Sequence, residues 1–518
     1  MPLTASESPV AAPPGFILPL RGLGRFRRWA PALWLALLSV AYLIPTCMRA
    51  ARERLWFDEI LTFDTASLLP SFRALWSFLN RGLELNPPLG FVLAAGSESI
   101  FGKNEFGVRF PSIAAFWIMS VCLYIFLRRR LPLPYAIVGT VLPALTAAGR
   151  YSYEARPYAL VLALASIALV AWQAAAENRR RPVALVAISA SLAAALSSHP
   201  LAVTLALPFV AGEAARSVQR KHLDVPIWCA FAAATPPLWL LWKLRGAAGA
   251  AASAQNVAHP LDTVGLTYFL ILMPAIIPLA AATVLVLMRR VEPGLRTAPE
   301  RGMPAYELAA LLGFAAIPFA AVPISTLGGL YWPRYSLNVV IGLAGCLAVL
   351  LFRTAASRPM AGTAVAVLFT MFFVGQQFLP ESQRLNAGIE GSHSSALQTV
   401  LEGGREDNLP IAIGRSLTFL ELEHYASPAL AGRLYYLTDS KAVIGSLGNV
   451  LFDAKGSVLQ EFFAFRSHFA DYRSFAAQHH RFIATEPGWV LARLTAEGAA
   501  VRLRGSVDGT RYYDVTLR

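Results

Sequence analysis

Charged residues are scarce in this sequence. Only 15% of its 518 residues are Asp, Glu, Lys or Arg, while 56% are hydrophobic and the mean hydropathy is +0.51. A soluble domain has about 25% charged residues, so a soluble protein is excluded and a polytopic membrane protein is predicted. The formal charge of +14 would suggest nucleic acid as a partner in a soluble chain. Here the arginines cluster between apolar runs, as topogenic signals do, and no nucleic-acid partner is expected.

Sequence signatures of several common chemistries are also missing. No phosphate-cradling glycine-rich loop, nucleophile elbow or zinc signature occurs in the chain. The cysteines show no metal-ligand spacing and are expected to be packing residues; they are Cys47, Cys122, Cys229 and Cys346. The C-terminal histidines lack a His-x-x-x-His pair beside an acid, so surface positions are favoured over a metal site; they are His393, His424, His468, His479 and His480.

Apolar runs bounded by arginine clusters predict about eleven membrane helices in residues 29–379. Residues 1–28 are Pro/Ala-rich and then basic, and are expected to form a disordered cytoplasmic leader before an uncleaved first helix. The predicted crossings are Trp29–Met48, Phe110–Leu127, Tyr135–Ala148, Pro157–Ala176, two within Pro182–Gly212, Val225–Trp242, Leu261–Met288, Pro304–Pro323, Tyr335–Phe352 and Met360–Leu379.

The run Pro182–Gly212 needs two helices because basic residues bound it on both sides. It is also too long for one ~30 Å crossing at ~1.5 Å per residue. Ser197-Ser198-His199-Pro200 supplies the break, which puts His199 at an outer tip. A bend is expected at Pro274 and Pro278 of a later crossing.

Two segments are predicted to lie outside the membrane on its external side. The first is a large loop over residues 49–109. The second is a soluble α/β domain over residues 380–518, where the composition becomes less apolar. Its predicted strands are Leu409–Ile413, Arg433–Leu437, Arg481–Thr485, Ala500–Arg504 and Arg511–Leu517, and its predicted helices are Leu417–Tyr425 and Trp489–Glu497.

The first loop opens with a carboxylate pair, Asp58-Glu59, beside Trp56 and Phe57. An acid pair at a bilayer surface is expensive to keep near lipid and marks a functional site by default. The alternative is a solvated helix start, where both acids complement the helix dipole. From these residues alone the two interpretations have about equal weight.

Polar and aromatic residues from distant parts of the sequence are predicted to share the same membrane face. They are Asp58, Glu59, Glu84, Asn86, Tyr151, Glu154, Arg156, Tyr158, His199, Lys243, Arg245, Tyr331, Trp332, Arg334 and Tyr335. Arginines can clamp a phosphate, aromatic faces can stack on a sugar, and a carboxylate can activate a hydroxyl. Each residue alone could equally be a snorkelling or interfacial anchor. For the whole set, a functional site is favoured.

Three motifs, taken in order, resemble the GT-C membrane glycosyltransferases. The first loop carries Asn86-Pro87-Pro88-Leu89-Gly90-Phe91 and then Phe101-Gly102-Lys103-Asn104-Glu105-Phe106-Gly107-Val108-Arg109-Phe110-Pro111-Ser112 after its Asp-Glu pair. Tyr151-Ser152-Tyr153-Glu154-Ala155-Arg156-Pro157-Tyr158 and Arg334-Tyr335 follow further on. The chain is similar to the bacterial protein O-mannosyltransferase-like and lipid A aminoarabinose transferase-like enzymes, chiefly in its membrane part.

The resemblance implies a bacterial inner-membrane transferase that takes a sugar from a polyprenyl phosphate on the external leaflet, with membrane lipids around it. Asp58 would be the catalytic base or would position a divalent metal beside it, and Glu59 would be its catalytic partner. Glu84, Asn86, Lys103, Glu154, Arg156, Tyr158, His199, Arg334 and Tyr335 would bind substrate. The family usually has His or Lys where this chain has Asn86, so Lys103 or Arg334 would have to supply the phosphate contact there.

Two other functions remain open at this stage. A transporter or flippase of lipid-linked glycans would explain the many crossings, but not the acidic loop or the external domain, and the internal repeats common in transporters are missing. A non-catalytic lipid-glycan-binding member would differ from an enzyme only in whether Asp58 is needed for turnover. The acceptor could be a glycan, a protein or a lipid.

Overall fold

The computed structural model describes residues 23–248, 260–288, 302–326, 331–355, 359–379, 394–403, 408–439, 456–486, 489–507 and 509–518. Most of the predicted leader lies outside these ranges, as does His393. The last residues of that leader differ from expectation, because the first helix already begins at Leu23. Arginine is a good helix former, and its long side chain can keep its charge in water at a helix end, so the basic cluster continues the helix.

Seventeen helices make up the described membrane part and its first loop. They are α1 (Leu23–Ala50), α2 (Phe57–Ser67), α3 (Phe72–Asn80), α4 (Leu89–Phe101), α5 (Glu105–Arg128), α6 (Leu133–Leu145), α7 (Tyr158–Ala176), α8 (Arg181–Leu196), α9 (Ala206–Arg220), α10 (Val225–Ala233), α11 (Pro237–Ala248), α12 (Pro260–Leu272), α13 (Ile276–Leu287), α14 (Ala305–Ala315), α15 (Ile317–Thr326), α16 (Val339–Ala355) and α17 (Pro359–Phe378). Short 3-10 helices occur at Ala147–Ser152, Pro200–Leu205, Met273–Ala275 and Pro333–Ser336.

The membrane bundle agrees with the predicted crossings. Eight helical stretches in the described residues are long and apolar enough to span a bilayer, and α6, α8 and α16 are shorter apolar helices at the other predicted positions. The protein is therefore a multi-pass membrane protein. The predicted break is present, because α8 ends at Leu196 and His199 caps the 3-10 helix that starts at Pro200. The predicted bend at Pro274 is a 3-10 turn between α12 and α13.

The first loop is folded rather than extended. Its helices α2, α3 and α4 bury apolar side chains such as Ile60, Leu75 and Phe91 in one core. Ser71 caps α3 by accepting a hydrogen bond from the backbone N–H of Ala74, as N-cap serines do. This core covers one end of the bundle, which we call the loop end.

The C-terminal domain contains a six-stranded sheet in the order β3-β2-β1-β4-β6-β5. Its strands are β1 (Ile411–Ile413), β2 (Leu434–Thr438), β3 (His468–Asp471), β4 (Arg481–Thr485), β5 (Ala500–Val507) and β6 (Thr510–Thr516). Its described helices are α18 (Ser394–Gly403), α19 (Ser416–Tyr425), α20 (Pro428–Ala431), α21 (Gly456–Leu459), α22 (Tyr472–Gln478) and α23 (Trp489–Ala496). The first four strands in this order are parallel, and the β5–β6 hairpin pairs antiparallel to β4.

The C-terminal domain packs directly on the first loop. Leu397, Phe419 and Leu430 belong to the same buried core as Ile60 and Phe78. The ring of His424 in α19 meets Phe63 of α2 edge-on, with 5.3 Å between ring centroids. His424 is therefore an interface residue and not the surface histidine that the sequence predicted.

Candidate active site

Asp58 lies in the first turn of α2, at the loop end of the bundle. Trp56 precedes the helix in extended conformation, with φ −95° and ψ 173°. The Glu59 carboxylate turns back to accept a hydrogen bond from the backbone N–H of Trp56 at 3.3 Å. Because this hydrogen bond directs Glu59 back toward Trp56, the carboxylates of Asp58 and Glu59 lie in different surroundings.

Glu59 is fully buried in an ion pair with Arg109. The Arg109 Nε and Nη2 atoms donate to the two carboxylate oxygens at 2.7 and 2.5 Å, and the backbone N–H of Ala155 donates a third bond at 2.8 Å. The remaining Arg109 donors bond the carbonyl oxygens of Ala50, Glu53 and Arg54. Both oxygens of Glu59 are thus occupied, so neither is available to a substrate. The carboxylate links α2 to Arg109 of α5 and to the chain at Ala155. The catalytic role predicted for Glu59 stays a prediction.

Two arginines from distant elements converge on the Asp58 carboxylate. Arg334 Nη2 lies 3.4 Å from Asp58 Oδ2, and Arg156 Nε lies 3.7 Å from the same oxygen. The second distance is too long for a hydrogen bond, and the buried Arg156 Nε has no other acceptor in the described structure. Burial would lower the pKa of Arg156, but Asp58 and Glu84 outweigh it and raise that pKa. An anion between these guanidinium groups would meet two positive charges and could accept a hydrogen bond from Arg156 Nε.

Stacked aromatic rings hold Arg334 in place. Its guanidinium carbon lies 5.6 Å from the ring centroid of Trp56 and 5.2 Å from that of Trp332. Such cation–π contacts fix the plane of a guanidinium that would otherwise rotate.

Glu84 and Asn86 form the other side of the Arg156 environment. Glu84 Oε1 accepts from the backbone N–H of Leu85, from the backbone N–H of Asn86 and from Asn86 Nδ2, at 2.8 to 3.0 Å. Its second oxygen lies 3.5 Å from Arg156 Nη1. The Asn86 amide is thus turned toward Glu84 and serves the turn before α4.

Three rings that the sequence named separately form one cluster. The ring of His199 lies 5.5 Å from that of Tyr158 and 5.3 Å from that of Tyr335. His199 Nδ1 accepts from the backbone N–H of Leu201 at 3.2 Å, so the proton of the neutral ring is on Nε2. Burial, with Arg156 and Arg334 nearby, lowers the pKa of His199 to about 3.

Glu154 is a second buried acid near this cluster. One carboxylate oxygen accepts from Arg150 Nε at 2.8 Å, while the other is buried without a hydrogen-bond partner in the described residues. Burial raises the pKa of Glu154 to about 7 against the opposing effect of Arg150, and Glu59 raises it further. A neutral carboxyl near Arg334 can donate a hydrogen bond at neutral pH.

Lys103 lies away from the other predicted residues. It is exposed in the turn after α4, and α4 has 13 residues. At ~1.5 Å per residue this puts ~20 Å between the two ends of the helix, with Asn86 at the far one. Of the two side chains expected to replace a basic residue at Asn86, the structure places Arg334, and not Lys103, at the site.

The residues around Asp58 do not form a metal-binding set. Among the described residues, no three His, Cys, Asp or Glu side chains are grouped closely enough to hold an ion. Asp58 and Glu84 both face the Arg156 guanidinium, whose positive charge would repel a cation.

An apolar cleft adjoins Arg156. It encloses about 430 Å³ of empty space, part of it open to solvent. Arg156 and Asn86 supply polar side chains, whereas Phe91, Val108 and Leu160 are typical of its walls. The cleft thus places the Arg156 side chain beside an apolar wall.

Sequence reasoning missed several residues that shape the site. It used Arg109 to mark the end of the first loop and as part of a motif, but not as a site residue, and Arg150 was not considered for the site. Both pair with acids that the sequence did single out. An arginine inside an apolar helix is a signal that could have found Arg109, because a charge there needs a partner.

Comparisons with known proteins agree with this architecture. Residues 86–242 match the family model described as dolichyl-phosphate-mannose-protein mannosyltransferase. The fold is similar to that of ArnT from Cupriavidus metallidurans in the apo state, with a TM-score of 0.56 at 13% identity over 95% of this chain and 98% of that chain. The same protein bound to undecaprenyl phosphate matches with a TM-score of 0.52 at 11% identity, over 94% and 98% of the two chains.

Among curated proteins, no sequence matches the chain. The family model and the fold nevertheless confirm the resemblance inferred from the sequence. The chain has an ArnT-like fold, a helical membrane bundle followed by a mixed α/β domain.

Proposed function

We propose that this protein is a membrane glycosyltransferase that takes a sugar from a polyprenyl-phosphate donor and passes it to an acceptor on the external side of a bacterial inner membrane. The observation that carries the proposal is the placement of Arg156 and Arg334 around Asp58, next to an apolar cleft. A polyprenyl phosphate has the matching parts, an anionic head and an apolar tail. The family description and the undecaprenyl phosphate bound to ArnT support the same donor class.

In this proposal the arginines hold the donor phosphate. Arg156 Nε has no hydrogen-bond acceptor in the described structure, so a phosphate oxygen would satisfy it. Arg334 is in cation–π contact with Trp56 and Trp332 and provides a second positive charge. Preorganised charge of this kind stabilises a leaving group without reorganisation during the reaction.

The proposed chemistry is an inverting displacement at the anomeric carbon. The acceptor hydroxyl oxygen forms a bond to that carbon, while the bond from carbon to the phosphate oxygen breaks and its electron pair leaves with the polyprenyl phosphate. Asp58 takes the proton of the acceptor hydroxyl as general base. Tyr158, His199 and Tyr335 would contact the sugar, with His199 Nε2–H available as a donor.

The test compares wild type with Asp58→Asn and with Asp64→Asn, a matched acid on the same helix. Each purified protein, reconstituted in lipid, receives a panel of radiolabelled polyprenyl-phosphate sugars and an envelope extract as acceptor. We expect wild type and Asp64→Asn to transfer label, and Asp58→Asn to bind donor without transferring it. Transfer by Asp58→Asn at the wild-type rate would refute the assigned role.

The same assay separates the other functions. Donor binding without release of label by any of the three proteins would support a lipid-glycan-binding member instead. Movement of intact donor between leaflets, with the sugar still attached, would support a flippase. Either result would refute the transferase proposal.

A further inference from the structure

The chain segment that leads into α2 is held from two opposite sides. From the membrane bundle, Arg109 Nη1 and Nη2 donate to the carbonyl oxygens of Glu53 and Arg54 at 2.6 and 2.9 Å. From the C-terminal domain, the Tyr425 hydroxyl accepts a hydrogen bond from the backbone N–H of Leu55 at 2.7 Å. Since Leu55 is three residues before Asp58, these contacts fix the position of the backbone from which the Asp58 side chain extends.

Tyr425 is itself fixed by contacts with three parts of the fold. Its hydroxyl donates to Glu105 Oε1, at the start of α5, at 3.2 Å. The Arg54 guanidinium carbon lies 4.6 Å from its ring centroid, and Arg54 Nη1 donates to Gln398 Oε1 of α18 at 2.8 Å. Gln398 Nε2 in turn donates to the Tyr425 carbonyl at 2.8 Å. The hydroxyl thus sits where the first loop, α5 and the C-terminal domain meet.

The C-terminal domain also holds the chain that leads to Glu84. The ring of Phe78 in α3 lies 5.4 and 5.3 Å from the rings of Phe462 and Phe463. Arg81, just after α3, forms an ion pair with Glu461 at 3.3 Å. Both acids that face Arg156 therefore belong to segments that rest on this domain.

We propose that the C-terminal domain takes part in sugar transfer by positioning Asp58, and that Tyr425 is the positioning residue. This inference rests on the proposed function of the site. Leu55 is only 1% exposed, so removing the hydroxyl leaves a buried N–H without its partner. This is costly, and we expect the backbone to shift so that the N–H finds another acceptor. A displacement of ~1 Å at a reacting group can cost about 100-fold in rate.

The experiment uses Tyr425→Phe in the full-length, lipid-reconstituted protein. The variant keeps the ring under Arg54 and removes only the hydroxyl. We expect kcat to fall about 10-fold or more, while the Kd for undecaprenyl phosphate stays at the wild-type value. Hydrogen exchange of the backbone amides in residues 53–59 should become faster by a similar factor.

Tyr472→Phe is the matched control. Its hydroxyl is also hydrogen-bonded within the C-terminal domain, to Glu497 Oε2 at 2.6 Å, but it belongs to α22, in a separate core from the one that contacts the first loop. We expect its kcat and the exchange of residues 53–59 to equal wild type. An equal loss of kcat in both variants would show general damage to the domain and would overturn the inference.

The exchange measurement separates this inference from the proposed function. If wild type transfers no sugar, the proposed function fails, whereas faster exchange of residues 53–59 in Tyr425→Phe alone would still support positioning by the domain. Wild-type exchange in Tyr425→Phe would overturn the positioning inference whether or not the protein is a transferase. Wild-type kcat in that variant would also overturn it.

Discussion

The Glu59–Arg109 pair should show strong energetic coupling. Both side chains are almost inaccessible, at 0% and 3% relative exposure. Removing one partner of a buried pair costs about 3–5 kcal/mol because the other charge is left uncompensated. Arg109→Leu also removes the donors to three carbonyl oxygens, so its cost should lie at the upper end. Glu59→Gln keeps the shape of the side chain and should cost about 3 kcal/mol.

The double variant Glu59→Gln/Arg109→Leu gives the decisive value. No buried charge remains in it, so its loss of stability should be no larger than that of Arg109→Leu alone. The coupling energy in the double-mutant cycle should then be about 3 kcal/mol or more. The assay is SDS titration of each variant in mixed micelles, followed by tryptophan fluorescence.

An exposed pair in the C-terminal domain provides the control. Arg504 and Asp514 are 3.0 Å apart, with 26% and 41% relative exposure. Arg504→Leu should cost under about 1 kcal/mol. Additive effects of the two buried substitutions, or a loss from Arg109→Leu as small as that of the control, would refute the view that Glu59 and Arg109 stabilise the fold as a buried ion pair.

Two further predictions concern pH and helix packing. Burial raises the pKa of Asp64 to about 7, and Glu423 raises it further. The contribution of Asp64 to folding stability is therefore complete below pH ~4 and is lost as the pH rises through about 7. At pH 8 the thermal unfolding midpoint of Asp64→Asn should therefore be higher than that of wild type, with no such gain at pH 4. In Gly342→Ala, the added methyl group meets the backbone N of Ala315 and should cost about 1–3 kcal/mol, whereas Gly96→Ala, with no atom within 4 Å, should not lower the unfolding midpoint.

The sequence predicted the membrane part well because its signals are local. A crossing requires a long apolar run, and an arginine cluster marks where it ends. The same local logic located the break at His199, since Ser197-Ser198-His199-Pro200 interrupts the run. In the C-terminal domain, β4 was predicted with its observed bounds, Arg481–Thr485.

Contacts between distant segments could not be predicted in this way. Glu59 and Arg109 are 50 positions apart, and no periodicity connects them. Lys103 was grouped with Asn86 because the intervening helix α4 was not anticipated, so a ~20 Å separation was not considered. Strand β3, His468–Asp471, was missed because it has only four residues and lies half-exposed at the sheet edge, with little apolar signal.

Because Arg156 and Arg334 contact Asp58 and are also proposed to bind the donor phosphate, they would determine the order in which the two substrates bind. The negative charges of Asp58 and Glu84 balance the positive charges of Arg156 and Arg334, just as Glu59 balances Arg109. In the proposed reaction, a donor phosphate would have to compete with the Asp58 carboxylate for Arg156 and Arg334, and its binding would weaken the contacts that hold Asp58. Asp58 would then be available as a base only after the donor has bound. We expect an ordered mechanism, in which the donor binds before the acceptor and water finds no activated carboxylate in between.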